Sequence, residues 1–99
     1  MTPEDVKTAL REVYDPELGY NIVDLGLVYG VVVDEGGRID ITMTMTTPGC
    51  PAASYIEEGT RERVQAMDGA TDVDVHVVWA PPWTPEMMSD DAKHHFGFA

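Results

Sequence analysis

Between Arg38 and Trp79 the apolar residues change period twice, and this restricts the fold more than any other feature of the chain. Ile39, Ile41, Met43 and Met45 alternate with Asp40, Thr42, Thr44 and Thr46, the pattern of a strand with one buried face. From Pro51 to about Met67 the spacing becomes helical: Ile56, Thr60, Val64 and Met67 form an inner stripe, and Glu57 and Arg61 can pair at i,i+4 outside. Asp68-Gly69 is a stop signal, and Thr71 to Trp79 alternates again, with Val73, Val75, Val77 and Trp79 on one face. A strand, a helix and a strand with short joints form a crossover, and a crossover lays its two strands parallel.

The flanking segments complete the pattern. Leu27 to Asp34 is rich in β-branched residues, and Glu35-Gly36-Gly37 is a hairpin signal that folds it back on Arg38 to Thr46. A first helix is capped by Thr2, with Pro3, Glu4 and Asp5 in its first turn and Val6, Ala9, Leu10 and Val13 as its apolar face; Asp15-Pro16 is expected to end it. Glu17 to Gly26 has no clean period and reads as an ordered loop with a short helical or extended turn. After a stiff proline–tryptophan loop, Ala80 to Pro85, a last helix runs from Glu86 to Phe96, preceded by a turn, capped at Ser89 and closed by Gly97. The expectation is an α+β fold: one compact two-layer domain over residues 1–99, in the order α-β-β-α-β-α. A small mixed three-stranded sheet carries the helices mainly on one face.

Composition excludes several function classes. Six basic residues against eighteen acidic ones give a formal net charge of −12. Such a surface repels phosphate backbones and argues against nucleic-acid binding. It suits solubility, a cationic partner or a metal-loaded one. No apolar run approaches the roughly 20 residues of a membrane span. The acidic start lacks the features of a secretion signal, and one cysteine cannot form an internal disulfide, so the expected setting is the cytoplasm.

That cysteine lies in Thr46-Thr47-Pro48-Gly49-Cys50-Pro51, between the second strand and the second helix. With Pro51 at the first helical position, Cys50 is expected at the N-cap, where free N–H groups and the helix dipole favour a thiolate. A glycine before it and a proline after it describe an open turn rather than a core position. Asp15-Pro16-Glu17 is the second candidate: two carboxylates astride a rigid proline could ligate metal, orient a neighbour or exchange protons, although ordinary turn chemistry also accounts for them. His76 falls on the polar face of the third strand. His94 and His95 are adjacent on a helix and point about 100° apart, unsuited to chelating one ion. Without Cys-x-x-Cys no complete structural zinc site can be written, and solvated or capping roles suit the histidines better. Trp79 to Pro85 forms a rigid aromatic wall that either covers one end of the core or faces a partner. There is no phosphate-binding glycine loop, and neither Ser54 nor Ser89 sits on a nucleophile turn.

Taken together, Asp15-Pro16-Glu17, Asn21-Ile22-Val23-Asp24-Leu25-Gly26-Leu27-Val28-Tyr29, Thr46 through Cys50-Pro51, Trp79-Ala80-Pro81-Pro82-Trp83 and Met88-Ser89 resemble the metal–sulfur cluster assembly family. This is the group of iron–sulfur maturation factors that includes SufT-like and PaaD-like proteins and the eukaryotic cytosolic targeting factor. The resemblance covers essentially the whole chain. It implies an α+β fold like that of other iron–sulfur assembly domains and a role in maturing clusters on client proteins. It places the motif cysteine on Cys50, the motif threonine on Thr46 and the acidic motif on Asp15 and Glu17. The additional C-terminal cysteines of PaaD-like proteins do not occur in this sequence, which points to a general maturation factor.

An iron–sulfur cluster needs several protein ligands, mostly thiolates, so one cysteine holds it weakly. The expected cargo is a transient, labile iron–sulfur cluster or iron on Cys50, with Thr46, Asp15 and Glu17 shaping the site. Either a homodimer brings two copies of Cys50 together, or an assembly protein or client supplies the remaining thiols. Two rivals stand beside this non-enzymatic reading. One is an adaptor that docks clients without holding a cluster. The other is a thiol enzyme with Cys50 as nucleophile and His76 as base, which requires the two within hydrogen-bond reach.

Overall fold

The computed structural model describes residues 1–47, 49 and 51–98. Helix α1 (Pro3–Leu10) opens with a reciprocal cap: Thr2 Oγ1 accepts from the Asp5 amide at 3.2 Å, and the Thr2 amide donates to Asp5 Oδ2 at 2.9 Å. It ends at Leu10, well before the expected Asp15-Pro16 stop. The Val13 carbonyl instead accepts from the Ile22 amide at 3.0 Å and draws the chain into a small hairpin, β1 (Tyr14–Asp15) with β2 (Tyr20–Asn21).

Strands β3 (Val28–Val33), β4 (Arg38–Met43) and β5 (Asp72–Val77) form the main sheet in that order, β3 antiparallel and β5 parallel to β4. Helix α2 (Ala52–Gln65) makes the crossover and packs on β5 and α1. The mixed three-stranded sheet of an α+β domain is therefore present. Its inner face buries Ile39, Ile41 and Met43 completely against Val6 and Leu10 of α1 and Ile56 and Val64 of α2. Ile22, Leu25 and Leu27, from the segment joining hairpin to sheet, complete the core.

Three expectations are corrected. Thr44 does not continue the polar face of β4 but is fully buried. The regular ladder ends at Met43, where the Thr44 amide turns to the Leu27 carbonyl and the Val78 amide to the Met43 carbonyl, both at 2.8 Å. Trp79 lies beyond the end of β5 and is 47% exposed rather than on the core face. Glu57 and Arg61 form no ion pair among the described residues; Arg63 instead reaches Glu12 through Nε at 2.9 Å and Nη2 at 2.6 Å.

The C-terminal segment folds back over residues 21–29. A 3-10 turn (Pro85–Met87) leads into α3 (Asp90–Phe96), whose cap is Ser89 Oγ accepting from the Ala92 amide at 3.2 Å. Gly97, at φ 81°, closes the helix as expected. Trp83 Nε1 donates to the Leu25 carbonyl at 2.7 Å, Tyr29 Oη to the Pro81 carbonyl at 2.7 Å, and the Ser89 amide to the Asp24 carbonyl at 2.8 Å. Gly26 sits at φ 82° against Met87, and a Cβ there would collide with the Met87 carbonyl.

Gly26→Ala therefore combines a left-handed backbone with a backbone clash and is expected to cost about 2–4 kcal/mol. Gly19→Ala, at φ 67° but with nothing within 4 Å, is expected to cost only about 1 kcal/mol. Urea unfolding of the two variants measures the difference.

Candidate functional site

The loop leaving β4 begins on a fixed anchor and ends in the open. Met45 is 3% exposed, Thr46 is partly buried, and Thr47 and Gly49 are exposed. Gly49 has φ 75°, and apart from its two chain neighbours no described residue comes within 4 Å of where a Cβ would stand. The cap of α2 is Pro51, one residue later than expected. Its own angles, φ −60° and ψ −25°, are already helical, and its side chain makes no capping hydrogen bond. Cys50, and with it the expectation of a capping thiolate, lies outside the described residues.

Asp15 ends β1, and Glu17 lies in the turn that leads to β2. Asp15 is 3% exposed, and its Oδ1 accepts from the amides of Glu17 at 2.8 Å and Leu18 at 3.3 Å. This is the local turn chemistry that the sequence pattern also allowed. Glu17 is exposed. The turn has a definite place relative to α2. From Glu12 onward the chain runs antiparallel to that helix: Glu12 pairs with Arg63, and Val13 lies opposite Gly59. Tyr14 shares a cleft with Ser54 and Tyr55. Strand β1 packs on α2.

The segment Asn21–Tyr29 is structural in a way the sequence reading did not specify. Asn21 Nδ2 donates to Asp24 Oδ2 at 2.7 Å while its Oδ1 accepts from the Asp24 amide at 2.9 Å, closing a turn. Ile22, Leu25 and Leu27 enter the core, and Gly26 admits the C-terminal segment. An isolated glycine among apolar residues was the available signal of such a close approach.

The histidines divide by environment. The His95 ring lies 4.9 Å from that of Tyr20 and 4.8 Å from that of Phe96, so it packs. His76 stands on the open face of the sheet, away from the helices, with Nε2 3.3 Å from Asp40 Oδ1. Asp40, Asp74 and His76 place one ligand-type atom each within 4.8 Å of one another. Arg38 already lies among these carboxylates, paired with Asp40, Asp72 and Asp74. The hydrogen bond with His76, followed by those of Arg38, holds the Asp40 carboxyl below its usual range. The same carboxylates keep the Arg38 guanidinium protonated.

Comparison with known proteins assigns this architecture. A family model described as "Iron-sulfur cluster assembly protein" matches residues 3–77. The chain belongs to that family. A Bacillus subtilis relative named as an Fe-S protein maturation auxiliary factor is 47% identical over 94 residues, covering 95% of this chain and 92% of the relative. The Staphylococcus aureus factor SufT is 45% identical over 85 residues, covering 86% of this chain and 97% of that one. Family membership of the SufT-like kind is therefore shown, and both relatives are named as maturation factors, not as enzymes. A crystal structure of a domain of unknown function from Bacillus anthracis superposes with a TM-score of 0.93 at 42% identity, covering 98% of this chain and 92% of that one. The family resemblance and the α+β architecture both hold.

Two predictions follow from the geometry. The Thr44 and Thr60 hydroxyls are buried without a hydrogen-bond partner among the described residues; Thr60→Val keeps the shape, removes a polar group with no such partner and is expected to stabilise by about 1 kcal/mol in urea unfolding. Because Asp40 has a lowered folded-state pKa, its contribution is complete above its unfolded value of about 4 and is lost as pH falls through the folded value. Asp40→Asn should lower the urea midpoint at neutral pH, and this deficit should shrink as the pH is taken below about 4.

Proposed function

We propose that this protein is an iron–sulfur maturation factor that takes up a cluster or iron transiently on Cys50 and passes it to client apoproteins. The observation that carries this reading is Gly49, which is exposed and follows the buried Met45 by four residues. The names of the relatives support the same role. Cluster cargo suits a single thiolate because incomplete ligation leaves coordination positions for the recipient's own thiolates. A partner protein or a second copy of Cys50 completes the ligand set during residence. Thr46 shapes the loop next to the cargo. Asp15 holds its own turn and so sets where Glu17 stands. The single cysteine suits a reducing cytoplasm.

Anaerobic reconstitution with iron and sulfide tests the ligand. The wild-type chain is expected to acquire cluster absorption and bound iron, and Cys50→Ala to lose most of both. Equal absorption and iron content in the two proteins would remove Cys50 from the role. A second reading, a docking adaptor that holds no cluster, draws on the exposed tyrosines beside α2. Client maturation that survives Cys50→Ala unchanged would select it.

A further inference from the structure

An open cleft of about 860 Å³ runs between the Glu12–Tyr14 segment and α2. Val13 and Gly59 lie along it, with Tyr14, Tyr55, Glu58 and Glu62 beside them. The fold accounts for none of three features here. Tyr14 and Tyr55 are 52% and 66% exposed, although large rings gain most from burial. Glu58 and Glu62 stand at i,i+4, a like-charge spacing that weakens a helix, and neither is ion-paired with a described residue. Gly59 lies in the middle of α2, where alanine is favoured. A Cβ there would meet only Val13 Cγ1, at an ordinary 3.5 Å. Packing does not require glycine at 59, and its missing side chain keeps the cleft open.

We infer that this cleft binds an extended Arg-x-Arg segment of a partner protein. The two carboxylates are separated by about 6 Å along the helix axis, four residues at the helical rise. Alternate residues of an extended segment lie about 7 Å apart and point to the same side. Two guanidinium groups at that spacing each meet one carboxylate, and the tyrosine rings offer faces on which guanidinium stacks. Arg63 is committed to Glu12 through two nitrogens and leaves Glu58 and Glu62 to the ligand. The net charge of −12 steers a basic segment toward the surface. This inference rests on the proposed role only in requiring a protein partner; it does not require iron on Cys50.

Fluorescence polarisation with a labelled Gly-Arg-Ala-Arg-Ala-Gly peptide, and its glutamate counterpart as control, reads the binding. The arginine peptide is expected to bind and the glutamate peptide not to. Glu58→Gln with Glu62→Gln should weaken binding about tenfold or more, and Tyr55→Ala should also weaken it. Gly59→Ala should raise the thermal midpoint while weakening the peptide, which separates loss of space from loss of folding. Asp90→Asn with Asp91→Asn removes the same charge elsewhere and should change binding less than about twofold. Equal losses in the two double variants would reduce the effect to bulk charge and overturn the inference. So would a dimer in sedimentation that Tyr55→Ala dissociates while no peptide binds, because a second copy would then be the occupant. Cys50→Ala should bind the peptide normally and the cleft variants should keep their iron uptake, so this inference and the cargo reading fail separately.

Discussion

The close approach of Gly26 to the Met87 backbone is the joint on which the rest of the molecule depends. A side chain at 26 would push the two segments apart. The hydrogen bonds from the Trp83 indole to the Leu25 carbonyl and from the Ser89 amide to the Asp24 carbonyl would open with it. The joint also reaches the site. Leu27, immediately after Gly26, gives its carbonyl to the Thr44 amide, which turns the chain out of β4. Met45 then enters the core, and Thr46 begins the exposed loop. A backbone contact near the C-terminal segment thus sets the direction from which the cysteine loop departs.

Elements that rest on local chemistry could be read from the sequence. The cap at Thr2, the cap at Ser89, the left-handed closure at Gly97 and the alternation from Ile39 to Met43 all follow from neighbours a few residues away. The parallel pairing of β4 with β5 followed from the length of the helix between them. What was misread depends on partners far along the chain. Val13 leaves the helical path because Ile22 claims its carbonyl. Thr44 is buried because Leu27 claims its amide, and a period-two pattern carries no information about where a ladder stops. Trp79 lies outside the core because β5 ends at Val77.

The candidate site was legible to a different degree. The sequence singled out Asp15 and Glu17 as a pair, but their environments differ: Asp15 is buried and spends an oxygen on its own turn, whereas Glu17 is exposed. Two carboxylates one residue apart from a shared proline look equivalent in a sequence, and only tertiary placement separates holder from held. The cluster around Arg38 shows the converse. Its carboxylates and His76 are spread from residue 40 to 76 in the chain and meet only because β4 and β5 pair in parallel register. Arg38 supplies the counter-charge there, which makes an electrostatic clasp across the sheet edge sufficient to explain the group.

Helix α2 connects the two proposed activities. On the cargo reading a lone thiolate leaves most coordination positions of a cluster to someone else, so transfer demands that a partner come within bonding distance of the loop before α2. A partner held only by the cluster would leave with it, and one held only by long-range charge would arrive without a fixed orientation. The cleft along the same helix supplies the missing element, an anchoring point that orients a basic segment without competing for the metal. Carboxylates in that cleft bind guanidinium groups, whereas a soft thiolate binds iron. Separating these chemistries along one rigid helix lets docking persist while the cargo moves.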